Sequence, residues 1–370
     1  MKTDNIYQLA LAGVQQLVPY KAGKPITELE RELGLSQIIK LASNENPLGP
    51  SKKALAAISL ALPELALYPD GSGFALKQAL AKKYALTSEQ ITLGNGSNEI
   101  LELVARAFLA PGFEAVFSQH AFAVYPIVTQ AVGATAVVVP AIHYGHDLTA
   151  MLQAITPQTR VVFIANPNNP TGTLLSQASL RQFLAALPDT VVCVLDEAYF
   201  EFVGAKEPIN SIDWLSEFPH LLITRTFSKA YGLAGLRVGY GMSGLALADI
   251  LNRVRQPFNN NSLALVAAEA ALDDNEHLQA TIKVNDQGMQ QLTEGFKALG
   301  LEWIPSAGNF VSVDIQRPAL PIYEALLHKG VIVRPIGVYE MPNHLRISIG
   351  TEAENQQFLQ ALTEVLAHVC

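Results

Sequence analysis

Cysteine is scarce in this 370-residue sequence: there are two, Cys193 and Cys370. One sits in the apolar run Val191–Leu195 and the other is the last residue. Such a pair makes neither a disulfide framework nor a zinc site, and the expected setting is the reducing cytoplasm. No run of about 18 apolar residues occurs, so no membrane-spanning helix is expected. Polar residues interrupt the stretch from Met1 to Tyr20, which lacks the continuous apolar segment of a secretory signal. Charged residues are only 16%, and Lys plus Arg (25) is outnumbered by Asp plus Glu (33), for a formal net charge of −8. The absence of a broad basic field argues against general binding to nucleic acid or anionic membranes, although a local arginine cluster can still hold a small anion. The G-x-x-x-x-G-K-[ST] phosphate loop is missing. The eight histidines are scattered, and His143 with His146 has no ligand-rich neighbourhood, so no metal site is expected.

What the chain does have is apolar material, 49% of residues, enough for a sizeable core. From Ile91 onward, short β-rich runs alternate with longer helical patterns. The runs Ile91–Leu93, Ala115–Phe117, Thr135–Val139, Arg160–Ala165, Val191–Leu195, Leu221–Thr224 and Arg237–Gly241 are apolar on both faces. Those read as a buried, mostly parallel sheet with helices on both sides. Beyond Val254 the pattern changes to long helices at Ser262–Leu272 and Leu278–Leu299, followed by strands and helices of an α+β unit. The expected organisation is a large α/β domain over 45–255, and a smaller α+β domain made of 1–44 and 256–370.

In an open parallel sheet, ligands sit beyond the carboxyl ends of the strands. After Leu93 comes Gly94-Asn95-Gly96-Ser97-Asn98-Glu99, which is either an anion-binding helix start or a glycine turn capped by Ser97. After Ala165 comes Asn166-Pro167-Asn168-Asn169-Pro170-Thr171-Gly172, a rigid turn or a frame for a ligand-facing amide. After Leu195 stands Asp196, a carboxylate that needs a cationic partner if buried, with Tyr199 three residues on. After Thr224 comes Arg225-Thr226-Phe227-Ser228-Lys229, then Arg237. There a lysine at a dry strand end can form a Schiff base with an aldehyde, and Ser228 with Arg237 can share a phosphate. Each feature is weak alone. Together they are the inventory for holding pyridoxal phosphate.

On these residues, and on the runs Lys40-Leu41-Ala42-Ser43-Asn44-Glu45-Asn46-Pro47-Leu48-Gly49-Pro50 and Leu67-Tyr68-Pro69-Asp70-Gly71, the sequence resembles the fold-type I pyridoxal-phosphate aminotransferases. Within them it resembles the histidinol-phosphate aminotransferase family. The likeness extends from about Val18 to Leu366. It implies an α/β fold with a mostly parallel central sheet in the large domain, and a smaller α+β domain. It implies pyridoxal 5'-phosphate bound covalently by Lys229, with Asp196 on the pyridinium nitrogen, Asn169 and Tyr199 on the phenolic oxygen, and Tyr125 stacked on the ring. Gly96, Ser97, Asn98, Thr226, Ser228 and Arg237 would surround the phosphate. Tyr68 would reach the phosphate of the neighbouring subunit, so a homodimer is implied. Arg346 would bind substrate carboxylate and Arg334 substrate phosphate, with Asn44 and Tyr20 also contacting substrate. The implied reaction is transfer of the amino group of L-histidinol phosphate to 2-oxoglutarate, giving imidazole-acetol phosphate and L-glutamate, by a ping-pong route within histidine biosynthesis.

Other readings are open from the residues. Gly239-Tyr240-Gly241-Met242-Ser243-Gly244 is a G-x-G-x-x-G, but Asn259-Asn260-Asn261-Ser262 stands where a dinucleotide fold needs an acidic residue. On the same fold an aromatic amino acid aminotransferase or a threonine-phosphate decarboxylase-like enzyme would use much the same cofactor residues. A non-catalytic ligand-binding regulator is a further class, against which Lys229 and Asp196 speak.

Overall fold

Side chains alternate across the buried strands, and each set feeds a core of its own. The computed structural model describes residues 4–19, 23–35, 37–204 and 210–368. After the short strand β1 (Ile39–Lys40), seven strands form one sheet: β2 (Ile91–Gly94), β3 (Glu114–Ser118), β4 (Thr135–Val139), β5 (Thr159–Ala165), β6 (Val192–Asp196), β7 (Leu221–Thr226) and β8 (Gly239–Ser243). Their order is β2-β8-β7-β6-β5-β3-β4. Every neighbouring pair is parallel except those made by β8, which runs antiparallel to both β2 and β7. Val162, Ile164, Cys193, Leu195, Leu221 and Ile223 point into one core. Val161, Phe163, Val192, Val194 and Leu222 point into the other. Two covered faces leave no place for a polar stripe, which is why these runs are unbroken in the sequence.

The smaller sheet is antiparallel, in the order β12-β13-β10-β9, from β9 (Glu302–Ile304), β10 (Phe310–Asp314), β12 (Arg334–Pro335) and β13 (His344–Ser348). Its core lies against the long helix Asn275–Ala298 and the helix Glu352–His368. Strand β1 pairs in parallel with β11 (Val331–Ile332), which ties the N-terminal segment to this smaller unit.

Two observations differ from the sequence reading. The helix Ser262–Leu272 buries Ala264, Ala267, Ala268 and Ala271 in the core of the larger sheet, together with Ala54 of the helix Lys52–Ala61. An apolar boundary at 255 therefore does not separate the cores, because small alanines let this helix pack closely on the larger layer. Second, the G-x-G-x-x-G begins inside β8 rather than in a loop after a strand. A Cβ on Gly239 would lie 2.3 Å from the Ser97 backbone nitrogen, and one on Gly241 would lie 3.0 Å from Leu222 Cδ1. These glycines serve close packing of strand on helix and strand on strand. No described helix is long and apolar enough to cross a membrane, and no described group of His, Cys, Asp and Glu is arranged to hold a metal ion.

Candidate active site

The carboxyl ends of β2, β5, β6 and β7 open on one cavity of about 280 Å³, closed from the other side by β12, β13 and the segment after β1. Lys229, Asp196, Tyr199, Asn169, Thr226, Ser228, Ser97, Asn98, Arg237, Asn44, Arg334 and Arg346 all line it. Gly96 lies immediately behind. Tyr20 is outside the described residues.

At one end the helix Ser97–Phe108 presents its N-terminus. Gly96 is the N-cap at φ +77°, and no side chain caps the helix. The N–H groups of Ser97 and Asn98 are thus left to an anion rather than capped by the Ser97 hydroxyl, while that of Glu99 donates to the Gly96 carbonyl at 3.3 Å. Arg237 Nη1 donates to Ser228 Oγ at 3.1 Å, and Thr226 Oγ1 donates to the same oxygen at 3.0 Å. A Cβ on Gly96 would sit 2.4 Å from Arg237 Nη2, so glycine is what lets the guanidinium lie across the helix start. Hydroxyls, a fork of donors and a positive helix end form a cradle for a phosphate.

In the middle, Asp196 is only 4% exposed. Its carboxylate accepts from Tyr125 Oη at 2.9 Å, Thr224 Oγ1 at 3.1 Å and the Ala198 N–H at 3.3 Å. Burial pushes its pKa up despite these donors. A cationic ring nitrogen would supply the missing counter-charge. Tyr125 does this supporting work instead of stacking in the cavity. Its ring is 0% exposed and lies parallel to Phe163 at 4.7 Å and 7°. The cavity wall there is Phe122, set edge-on to Tyr125 at 5.9 Å. Both residues occur in Phe122-Ala123-Val124-Tyr125, one helical turn apart, so the aromatic spacing signals a pair without saying which ring faces out.

Lys229 follows β7 and donates to the Ser43 carbonyl at 3.2 Å, with its Nζ 5.7 Å from the centre of the Tyr199 ring. Burial, helped by the Arg346 charge, lowers its pKa to about 8. A lysine so placed is a usable nucleophile and base. The Tyr199 hydroxyl accepts from Asn44 Nδ2 at 2.9 Å and Asn169 Nδ2 at 3.1 Å. Burial pushes its pKa up to about 12, so it keeps its proton. Asn44 was expected to contact substrate. It lines the cavity, and its amide is also engaged by Tyr199 and by Ser348, whose Oγ donates to Asn44 Oδ1 at 2.9 Å.

The far wall carries the arginines. Arg346, 7% exposed, donates to Asn169 Oδ1 and to the Ala42 carbonyl, each at 2.6 Å. Arg334 stands directly opposite it across the β12–β13 pair. Like charges at facing positions repel, and an anion between them removes the penalty. Tyr68 lines no part of this cavity. It is 82% exposed and stacks on Phe258 at 4.8 Å. Sequence reasoning overlooked Phe122 and the carbonyls of Ala42 and Ser43. A main-chain acceptor leaves no mark on residue identity.

The family model described as aminotransferase class I and II matches residues 36–362. The chain is 62% identical over 367 residues to histidinol-phosphate aminotransferase 2 of Pseudomonas fluorescens (strain Pf0-1), covering 99% of each. It is 58% identical over 368 residues to histidinol-phosphate aminotransferase 2 of Methylococcus capsulatus, covering 98% of this chain and 99% of that one. Among solved structures it resembles histidinol-phosphate aminotransferase from Sinorhizobium meliloti in complex with pyridoxal-5'-phosphate. That match has a TM-score of 0.91 and 31% identity, and covers 97% of this chain and 98% of the other.

Proposed function

The chain belongs to the class I and II aminotransferase family, and from that premise we propose that it moves the amino group of L-histidinol phosphate to 2-oxoglutarate, with pyridoxal 5'-phosphate as cofactor. The observation that carries the cofactor is the presence of three unlike groups on one cavity: an anion cradle at Gly96 and Arg237, a buried carboxylate at Asp196, and a lysine of lowered pKa at Lys229. Those match the phosphate, the ring nitrogen and the aldehyde of that group. The facing pair Arg334 and Arg346 supports a donor carrying phosphate and an acceptor carrying two carboxylates.

Pyridoxal phosphate, when bound, supplies an electron sink for the substrate's α-carbon. The residues do the rest. Ser97, Asn98, Thr226, Ser228 and Arg237 hold the phosphate. Asp196, steadied by Tyr125 and Thr224, keeps a proton on the ring nitrogen. Asn169 and Tyr199 orient the ring through its phenolic oxygen, and Phe122 covers a face. Lys229 Nζ would hold the cofactor's aldehyde and, as a free amine, would move the proton at the substrate's α-carbon. Arg346 orients the acceptor's carboxylate and Arg334 the donor's phosphate. The exposed Tyr68, with exposed Leu60, Leu65 and Leu67 nearby in sequence, supports a homodimer in which Tyr68 serves the partner's site.

The test is an absorbance titration of the yellow protein with histidinol phosphate and, separately, with phenylalanine. Bleaching at low histidinol phosphate, reversed by 2-oxoglutarate, is the expected result. Bleaching by phenylalanine alone would make the enzyme an aromatic aminotransferase and remove the phosphate role of Arg334. Lys229→Ala is expected to abolish turnover and to leave no cofactor fixed by borohydride.

A further inference from the structure

Both amides on the Tyr199 hydroxyl are oriented by partners that leave one direction open. Arg346 has only donors, so the Asn169 oxygen it touches must accept, and the Asn169 nitrogen faces Tyr199. Asn44 is fixed in two steps. Its backbone N–H donates to Ser348 Oγ at 2.7 Å, and the Ser348 proton then goes to Asn44 Oδ1 at 2.9 Å. The Asn44 nitrogen is left for Tyr199 at 2.9 Å. A phenol oxygen has two lone pairs and one proton. With both lone pairs taken, the Tyr199 proton points into the cavity that its side chain lines. Asn44 and Ser348 are both buried, and Asn44 holds φ at +54°, a backbone that asparagine tolerates better than most residues.

We propose that Asn44, oriented by Ser348, is a positioning residue that fixes the Tyr199 hydroxyl as a donor toward the cavity. Its consequence for the enzyme rests on the functional reading above. A hydroxyl donated to the phenolic oxygen of pyridoxal phosphate stabilises negative charge there. That loosens the hold of this oxygen on the proton of the nitrogen beside it, and lowers the pH at which the visible band titrates. Ser348 belongs to β13 of the smaller sheet and Tyr199 to the turn that follows β6 of the larger one, so the relay passes between the two units.

The test is the absorbance–pH titration of the holoenzyme. Tyr199→Phe should raise the midpoint by about one pH unit, the scale of one hydrogen bond to a charged oxygen. Asn44→Leu removes the amide at nearly equal volume and should raise it in the same direction. The double variant should go no higher than Tyr199→Phe. Ser348→Ala, which frees the amide of Asn44 to turn, should raise it as well and serves if Asn44→Leu folds poorly. The charged and titratable groups around Tyr199 and Lys229 are Asp196, Arg346, Tyr339, Glu45 and Arg237, and these variants change none of them. A wild-type midpoint in both Asn44→Leu and Ser348→Ala, or additive shifts in the double variant, overturns the proposal. Should the wild-type protein gain no visible band with pyridoxal phosphate, the functional reading falls. Neutron diffraction from crystals of the protein then decides the relay alone. A deuteron on the Tyr199 oxygen aimed at the cavity supports it, and one aimed at Asn44 or Asn169 overturns it.

Discussion

At the scale of single residues, the site depends on a lysine and a glycine that do opposite things. Lys229 brings chemistry, and its lowered pKa of about 8 comes first from burial and then from the Arg346 charge. Only the neutral amine attacks an aldehyde. The rate at which cofactor-free protein takes up pyridoxal phosphate is therefore expected to rise about tenfold per unit below pH 8 and to level off above it. Stopped-flow absorbance measures this, and a profile still climbing at pH 9.5 would contradict it. Gly96 brings nothing but room. Gly96→Ala puts a methyl where Arg237 Nη2 lies and forces a side chain onto φ +77°. Losing one charge-assisted hydrogen bond of about 1.5–3 kcal/mol should weaken pyridoxal phosphate binding about tenfold or more. Pyridoxal, lacking the phosphate, should bind as before, and equilibrium dialysis of both compounds checks the difference. Residues of these kinds are legible in sequence because they follow the carboxyl ends of successive strands of one sheet, where ligands sit. The orientation of Tyr125 is not, because two aromatic rings one turn apart compete for the same wall and only packing against Phe163 decides between them.

At the scale of elements, alternation along β6 and β7 sends neighbouring residues to opposite faces of one sheet. Asp196 faces the cavity with Thr224 bonded to its carboxylate, while Glu197 and Arg225 form an ion pair on the other side. The pair is bound through Arg225 Nε at 2.9 Å and Nη2 at 2.8 Å, with the guanidinium 3.4 Å from the centre of the Phe200 ring. Both residues are wholly buried. Glu197→Ala strands the buried guanidinium and should cost about 3–5 kcal/mol of stability. Urea unfolding of the cofactor-free protein reads it, and a loss under 1 kcal/mol would mean that the pair is replaceable. The buried strands were legible from their unbroken apolar runs. Strands β1, β11 and β12, two residues each, were not resolved as separate elements, since no periodicity exists at that length and β1 finds its partner β11 only at the far end of the chain, Ile39 against Val331. The helices Lys52–Ala61 and Phe74–Tyr84 also escaped the reading, because alanine-rich faces give little contrast between buried and exposed sides.

At the scale of the whole molecule, exposed apolar residues recur between Ile6 and Val18 and again in the stretch of chain from Leu55 to Phe74, which carries Tyr68. Soluble surfaces rarely leave such groups uncovered. If that stretch is the dimer face proposed above, Leu60→Glu with Leu67→Glu should halve the particle mass in sedimentation. It should also weaken phosphate binding, because Tyr68 no longer reaches the other site. A dimer that persists with full affinity would place the interface elsewhere. Nothing in the composition distinguishes such a face from a loose surface. Only the exposure of these side chains in the fold, and the Tyr68 ring stacked on Phe258 at the surface, give it shape.

Three consecutive residues cross the middle of the site. The carbonyl of Ala42 accepts from Arg346, that of Ser43 accepts from Lys229, and the side-chain amide of Asn44 donates to Tyr199. Their position is set two residues earlier, where Lys40 pairs with Ile332. Irregular segments normally absorb insertions and deletions without harm. Here one added or lost residue between Leu41 and Asn44 would shift the partners of all three groups at once. This stretch carries no helix and hardly any strand, yet its length should be as invariant over evolutionary time as its chemistry.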